Sequence, residues 1–216
     1  MQSIVNQAAR TILGNDFISP EEVEVANAYS VSYTKEQLQE LTENLPTEEQ
    51  LLWLKGNNYA LVVGSPTEMN LIDIRSAKSS LFCSKNNKWY DDQPFAIKEK
   101  VGHNWLAISK DPVANSLKQI RNTQQKPLLS VGQIRNAAEI SWFIATYYDV
   151  RGVQLFSNIY VRTSSVVANS RSVFVDDIDG AGIGVSFGFG ESYYHSLGVS
   201  ASQGFGPGVS DISKKF

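Results

Sequence analysis

The segment "VDDIDGAGIGVSFGFG", residues 175–190, sets three carboxylates, Asp176, Asp177 and Asp179, against a run of glycines. Acidic clusters hold divalent cations, and glycine-rich turns let a phosphate approach the backbone. A calcium loop needs an oxygen ligand at its first position, glycine sixth and glutamate twelfth. With Gly180 sixth, the first residue is Val175 and the twelfth is Ser186, so the template fails. A phosphate loop closes on Gly-Lys-Ser/Thr, and no lysine lies in this stretch. A dinucleotide fingerprint runs from its glycines into a helix. Here Gly182 and Gly184 lead to Phe187 and a strand-like alternation instead.

A hairpin explains the segment better. Asp179-Gly180 is a turn dipeptide. Beyond it Ile183, Val185, Phe187 and Phe189 share one face at period two, and Gly182, Gly184, Ser186 and Gly188 share the other. Glycine weakens a strand unless something packs closely on its backbone. Gly182, Gly184 and Gly188 are therefore expected to form an interface with a neighbouring element or subunit. The alternative is a metal site at Asp176, Asp177 and Asp179 that, with His195, would serve a metal-dependent hydrolase.

Other reactive side chains are few. The chain has two histidines, His103 and His195, and one cysteine, Cys83. No Gly-x-Ser-x-Gly elbow is present, and Cys83 lacks the flanking pattern of a cysteine nucleophile. No catalytic residue is assigned. Trp89 and Tyr90, in "KWYDD", are expected to be an exposed aromatic pair able to stack on a ligand. Arg162, in "YVRTSS", either pairs with an acid on an adjacent strand or binds an anion. Trp89, Tyr90, Arg162 and His195 are thus the candidate ligand-binding residues. No cofactor is implied.

The elements that would position these residues begin as helices. Ser19, Pro20 and Glu22 form a capping box with the favoured proline. Thr34 with Gln37 and Thr47 with Gln50 repeat it. Leu38, Leu41 and Leu45 then share an inward face, as do Leu51, Leu54 and Trp53. "SPTEMNLIDIRSA" reads as a helix from Ser65 and Pro66. "NYALVVG", "SLFCS", "FAIKE" and "NWLAISK" read as short strands, and residues 111–127 as a loop. A largely buried helix is expected near residues 131–148, capped by Ser130 and Gln133 and ended by Gly152. The strands "VQLFSNIYVRT", "RSVFVDD" and "AGIGVSFGF" follow.

This order predicts an α+β fold with N-terminal helices, a mostly antiparallel sheet of short strands and one buried late helix. Residues 1–45 form an N-terminal helical segment, 46–190 the core domain and 191–216 a Gly/Ser-rich arm. The segments "WLAISKDPVANS", "NAAEISWFIATYYDVRGVQLF" and "NIYVRTSS" resemble a group of bacterial and phage-encoded proteins without an assigned activity. The resemblance spans about residues 45–200 and implies bacterial or phage origin, with motifs of packing rather than catalytic type.

The 216 residues are 42% hydrophobic and 19% charged, with a net charge of −3. That suffices for a real core and gives no basic surface for nucleic acid. One cysteine fits a reducing compartment. The first 16 residues lack an export-signal pattern, and no apolar run is long enough to span a membrane. The expectation is a soluble cytoplasmic protein without nucleic-acid or membrane partners. The leading function is non-enzymatic binding or assembly, through a protein partner or self-association. A small-ligand binder using exposed aromatics and Arg162 is a further alternative.

Overall fold

The computed structural model describes residues 4–26, 32–83, 89–112, 116, 133–169, 171–179, 182–188 and 197–203. The N-terminal elements are α1 (Ile4–Leu13), β1 (Phe17–Ile18), α2 (Pro20–Val25), α3 (Lys35–Glu43) and α4 (Glu48–Gly56). The capping boxes hold. The Ser19 N–H donates to Glu22 at 2.9 Å, Thr34 N–H to Gln37 at 2.9 Å, and Thr47 N–H to Gln50 at 2.8 Å. Leu41, Leu51 and Leu54 are buried, Leu45 and Trp53 partly so. Leu38 departs from its expected inward position and is exposed.

The middle of the chain supplies β2 (Tyr59–Val63), β3 (Met69–Asn70), α5 (Leu71–Ala77), α6 (Pro94–Lys98), β4 (Lys100–Val101) and β5 (Trp105–Ser109). Three expectations are corrected here. The helix expected from Ser65 begins at Leu71 and is capped by Asn70, whose side chain accepts from the N–H groups of Ile72 and Asp73. Tertiary bonds hold the earlier residues out of a helix: Tyr33 donates to the Gly64 carbonyl and the Gln37 amide to the Pro66 carbonyl, both at 2.6 Å. "FAIKE" is helical rather than extended. Pro94 occupies the first turn, and consecutive Phe95 and Ala96 are buried while Ile97 is exposed, which breaks a period of two. "SLFCS" makes a 3₁₀ turn at Ser79–Leu81 and a single bridge from Phe82 to Ile183.

The last third contains α7 (Ala137–Arg151), β6 (Tyr160–Val166), β7 (Ser172–Asp179), β8 (Gly182–Gly188), β9 (Leu197–Val199) and β10 (Ser202–Gln203). Helix α7 starts later than expected. Ser130 lies outside the described residues, and Gln133 forms a two-way backbone bridge with Ser202 at 2.8 and 2.9 Å. Asn136 and Glu139 form the capping box instead. Gly152, at φ +66°, ends the helix as expected.

The fold is α+β. One sheet has the order β1-β2-β5-β10, another β8-β7-β6-β9, and β3 pairs with β4. Among the described residues the strand pairings are antiparallel except β1 with β2 and β6 with β9, and the isolated bridge from Phe82 to Ile183 is parallel. Helix α7 touches both larger sheets, and its Trp142 indole donates to the Val63 carbonyl at 2.9 Å. Ala9, Phe17, Leu61, Phe143 and Val173 belong to one contiguous core, so the described N-terminal elements and the sheets share an interior. Among the described residues no helix is long and apolar enough to cross a membrane.

Candidate functional site

The β7–β8 hairpin carries the segment that first attracted attention. Asp179 pairs with Gly182, so Gly180 and Ala181 lie between the strands, one position on from the expected Asp179-Gly180 turn. The register then shifts: Ile178 pairs with Ile183, but Val175 pairs with Val185. Asp176 and Asp177 therefore oppose the single residue Gly184, which is a β-bulge.

The three glycines sit in different surroundings. Gly182 has φ +95°, and a Cβ there would lie 2.7 Å from the Leu81 carbonyl oxygen and 2.9 Å from the Cys83 nitrogen. The close approach at Gly182 is thus internal, to the segment bridged at Phe82. A Cβ on Gly184 would meet the Asp176 Cβ at 3.3 Å, across the bulge. Gly188 is buried opposite Ser172. The side chains of Asp177 and Asp179, and all of His195, lie outside the described residues. Among the described residues no three His, Cys, Asp or Glu side chains are grouped to hold a metal ion.

Two of the proposed ligand-binding residues are corrected by burial. Tyr90 is 0% exposed, with its ring under the Arg75 guanidinium carbon at 5.0 Å, and burial pushes its phenol up to about 12. Arg162 is 1% exposed, its guanidinium 5.1 Å from the Phe174 ring centre. It is a buried cation on an aromatic face. His103 pairs with Glu40 at 2.8 Å, and Cys83 is half-buried.

Trp89 is half-buried and lines an open groove of about 510 Å³ with Gln93, Val167, Ala168, Asn169, Arg171 and Phe187. Its position is fixed by two kinds of contact. The indole N–H donates to the Val185 carbonyl on the outer edge of β8 at 2.9 Å. Its ring stands edge-on to Tyr90 at 5.4 Å and lies 6.0 Å from Phe95. The Phe187 ring tilts against it at 4.7 Å. Arg171 sets its guanidinium 4.6 Å from the Phe187 ring centre and donates from Nε to the Asn169 side chain at 2.9 Å. The turn carrying both is closed by the Val167 N–H donating to the Arg171 carbonyl at 3.0 Å.

Of the groove residues, only Trp89 is among the candidates read from the sequence. Arg171 and Phe187 meet because Val173 pairs with Phe187, which brings Arg171 within diagonal reach across the hairpin. A simple count back from the Asp179–Gly182 pair misses the bulge and pairs Phe187 with Phe174. The available signal was the arginine entering one strand and the aromatic leaving the other.

Polar networks close both ends of α7. At the C-terminal end Arg151 pairs with Glu22 at 2.8 Å and donates to the carbonyls of Asn15 and Phe17. Arg10 also pairs with Glu22, and Asp16 accepts from Tyr147 at 2.6 Å and Lys110 at 2.9 Å. At the N-terminal end Arg135 pairs with Glu139 at 2.9 Å and bonds the Ser202 hydroxyl. Ser165 accepts from the Ala137 N–H at 2.8 Å and donates to Glu99.

No protein-family model, curated protein or solved structure matches the chain, so its chemistry rests on this geometry alone.

Proposed function

We propose that the protein is a non-catalytic binding protein that recognises its partner through the Trp89–Phe187–Arg171 groove. The observation that carries this reading is a fixed pair of aromatic rings beside a guanidinium in an open groove. Two aromatic rings, one held by its own N–H bond to β8, form the floor, and a guanidinium stands at the rim. Ligand clefts of about 300–1,000 Å³ share this pattern of apolar lining with a few placed polar groups, and the groove volume of about 510 Å³ falls inside it. The single cysteine and the absence of a basic run in the sequence support a protein partner in a reducing, cytoplasmic setting. Bacterial or phage origin accompanies this reading through the sequence resemblance.

A fragment and short-peptide library screened by amide and indole chemical shifts tests it. Hits are expected to move the Trp89 indole N–H, Asn169 and Arg171 together. Hits that converge elsewhere, leaving these resonances in place, would overturn the assignment.

A further inference from the structure

We propose that the occupant of this groove is an extended, uncharged peptide segment, its aromatic side chain on the Trp89–Phe187 floor and a neighbouring peptide unit held between the side-chain amides of Asn169 and Gln93. The inference rests on the groove being the recognition surface, and three observations carry it further. The first is the orientation of the two amides. A side-chain amide has an acceptor oxygen and a donor nitrogen, so a bond made at one end decides what the other end offers. The Oδ1 of Asn169 accepts from Nε of Arg171 at 2.9 Å, and the end of Asn169 left for a ligand is the Nδ2 donor. Gln93 is turned the other way: its Nε2 donates to Asp92 at 3.1 Å, which leaves the Oε1 acceptor. Both residues line the groove, Asn169 from the turn after β6 and Gln93 from the segment that carries Trp89. The C=O and N–H of a trans peptide unit point to opposite sides of the chain. A chain lying between the two amides can therefore give its carbonyl to Asn169 and its N–H to Gln93.

The second observation is that the backbone under each amide is already fixed. The Gln93 N–H donates to the Tyr90 carbonyl at 3.0 Å, and its own carbonyl accepts from the Ala96 N–H at 3.1 Å. Asn169 sits in the turn closed by the Val167 N–H and the Arg171 carbonyl. Neither rim has to be ordered from a loose chain, which lowers the cost of association.

The third is the floor. Trp89, Phe187 and Val167 present apolar surface, and the polar edge of Trp89 is already bonded to Val185. The floor thus asks for an apolar group and no further polar one. Aromatic rings favour tilted or offset partners with centres about 4.5–7 Å apart, so a third ring extends the pair. The openness of the groove decides what carries that ring. Sites for free small molecules bury most of the ligand, about 70–90% of its surface, and a small molecule here would leave much of its surface wet. A peptide continues onto the protein on either side of the side chain it inserts.

The probe is the peptide Ser-Thr-Phe-Thr-Ser, capped at both ends and titrated into the isotope-labelled full chain by NMR. It is expected to bind about tenfold tighter than the same peptide with Ala for Phe, or with the two backbone nitrogens flanking the ring side chain methylated, a difference of about 1.4 kcal/mol. Two substitutions of equal added charge separate the rims. Asn169→Asp keeps the acceptor for Arg171 but replaces the donor with an acceptor, and should weaken binding about tenfold. Gln93→Glu keeps an acceptor and should change binding by about twofold or less. Both positions keep their shape, and resonances away from the groove report that each variant is folded. Ala168→Trp fills the groove from an exposed turn without removing a core side chain, and should abolish binding. Equal effects of the two acid substitutions, or a methylated peptide that binds like its parent, with binding still lost in Ala168→Trp, would overturn the amide reading and leave the groove intact. The ring alone, as 2-phenylethanol, binding as tightly as the peptide would make this a small-molecule site. Concentration-dependent self-association lost in Ala168→Trp would make a second copy the occupant. Binding indifferent to Ala168→Trp, or none at millimolar peptide, would overturn the groove reading as well.

Discussion

The two ends of α7 gather carboxylates in opposite electrical settings. At the C-terminal end, burial pushes the Glu22 carboxyl up, but the Ser19 N–H and the guanidinium groups of Arg10 and Arg151 leave it below its ordinary value. At the N-terminal end, burial pushes Glu99 up, the Ser165 hydroxyl offsets only part of this, and the Glu139 carboxylate adds to the rise. The signs of the nearby charges follow the helix dipole, with arginines where carbonyls end the helix and acids where N–H groups begin it. What differs is the local charge balance. Glu22 pairs with two arginines, whereas Arg135 bonds Glu139 and Glu99 has the Ser165 hydroxyl with the Glu139 carboxylate nearby. One helix is therefore docked by charge at one end and by hydroxyl and backbone contacts at the other.

The middle of α7 provides a reference that charge does not touch. Phe143 is fully buried between the two ends. Phe143→Ala is expected to destabilise by about 3–5 kcal/mol through lost burial and a cavity, by the same amount at pH 4.5 and pH 7.5. Denaturant titrations at both values check this. A loss that changes with pH would show that the core and the end networks do not act separately.

Arg151→Met comes next in size. It removes the Glu22 pair and two carbonyl bonds, and bonds to charged groups are worth about 1.5–3 kcal/mol where partners are left unsatisfied. A loss of about 2–3 kcal/mol is expected at neutral pH. Because Glu22 is held below its ordinary value, its contribution is present above the unfolded carboxylate pKa and disappears as pH falls through the folded one. The loss in Arg151→Met should therefore shrink on acidification. A constant loss would mean that the carbonyl bonds to Asn15 and Phe17 carry the docking and the ion pair adds nothing.

These ends also show what a sequence makes readable. The boxes at Ser19, Thr34 and Thr47 were legible because cap and partner lie three residues apart and answer to local geometry. Ser130 and Gln133 offer the same spacing ahead of α7. Yet a pairing with Ser202, almost seventy residues on, draws Gln133 into a bridge and passes the cap to Asn136. Likewise Trp89 was visible as a candidate while Arg171 and Phe187 were not, since their meeting depends on one extra residue at the Asp176–Asp177 bulge. Burial of Tyr90 and Arg162 was hidden for the same reason. The charged neighbours of Tyr90 and the polar neighbours of Arg162 suggest surface, and only tertiary packing places an arginine on each ring.

Ser165→Ala tests the hydroxyl-docked end. Ser165 is fully buried and joins the first N–H of α7 to Glu99. Its removal leaves one donor and one acceptor without this partner, at a cost of about 1–2 kcal/mol. This should be smaller than the Arg151→Met loss at neutral pH. The reverse order, read from the same denaturant titrations, would make the N-terminal end the stronger dock and invert the comparison.

The smallest expected effect is the most discriminating. Glu99 has its folded pKa raised above the ordinary value of 4.5, so as pH rises the unfolded chain releases this proton first. Between the two values the folded state binds more protons than the unfolded state, and stability falls with pH. Above the folded value the full cost of an ionised, half-buried Glu99 is present. Glu99→Gln removes that titration and keeps an oxygen able to accept from Ser165. Relative to the parent, the variant should therefore improve as pH rises from 4 to 7, by about 1 kcal/mol or less for a group that retains water contact. Glu22→Gln should move the other way over the same range, because there the ionised form is favoured by folding. Measuring both variants against the parent at each pH cancels every titration they share. Curves that diverge in opposite directions would establish that the two ends of one helix oppose each other in their response to acid. Parallel curves would show that burial of Glu99 is relieved by water or rearrangement, and that the charge surplus at the N-terminal end carries no energetic weight.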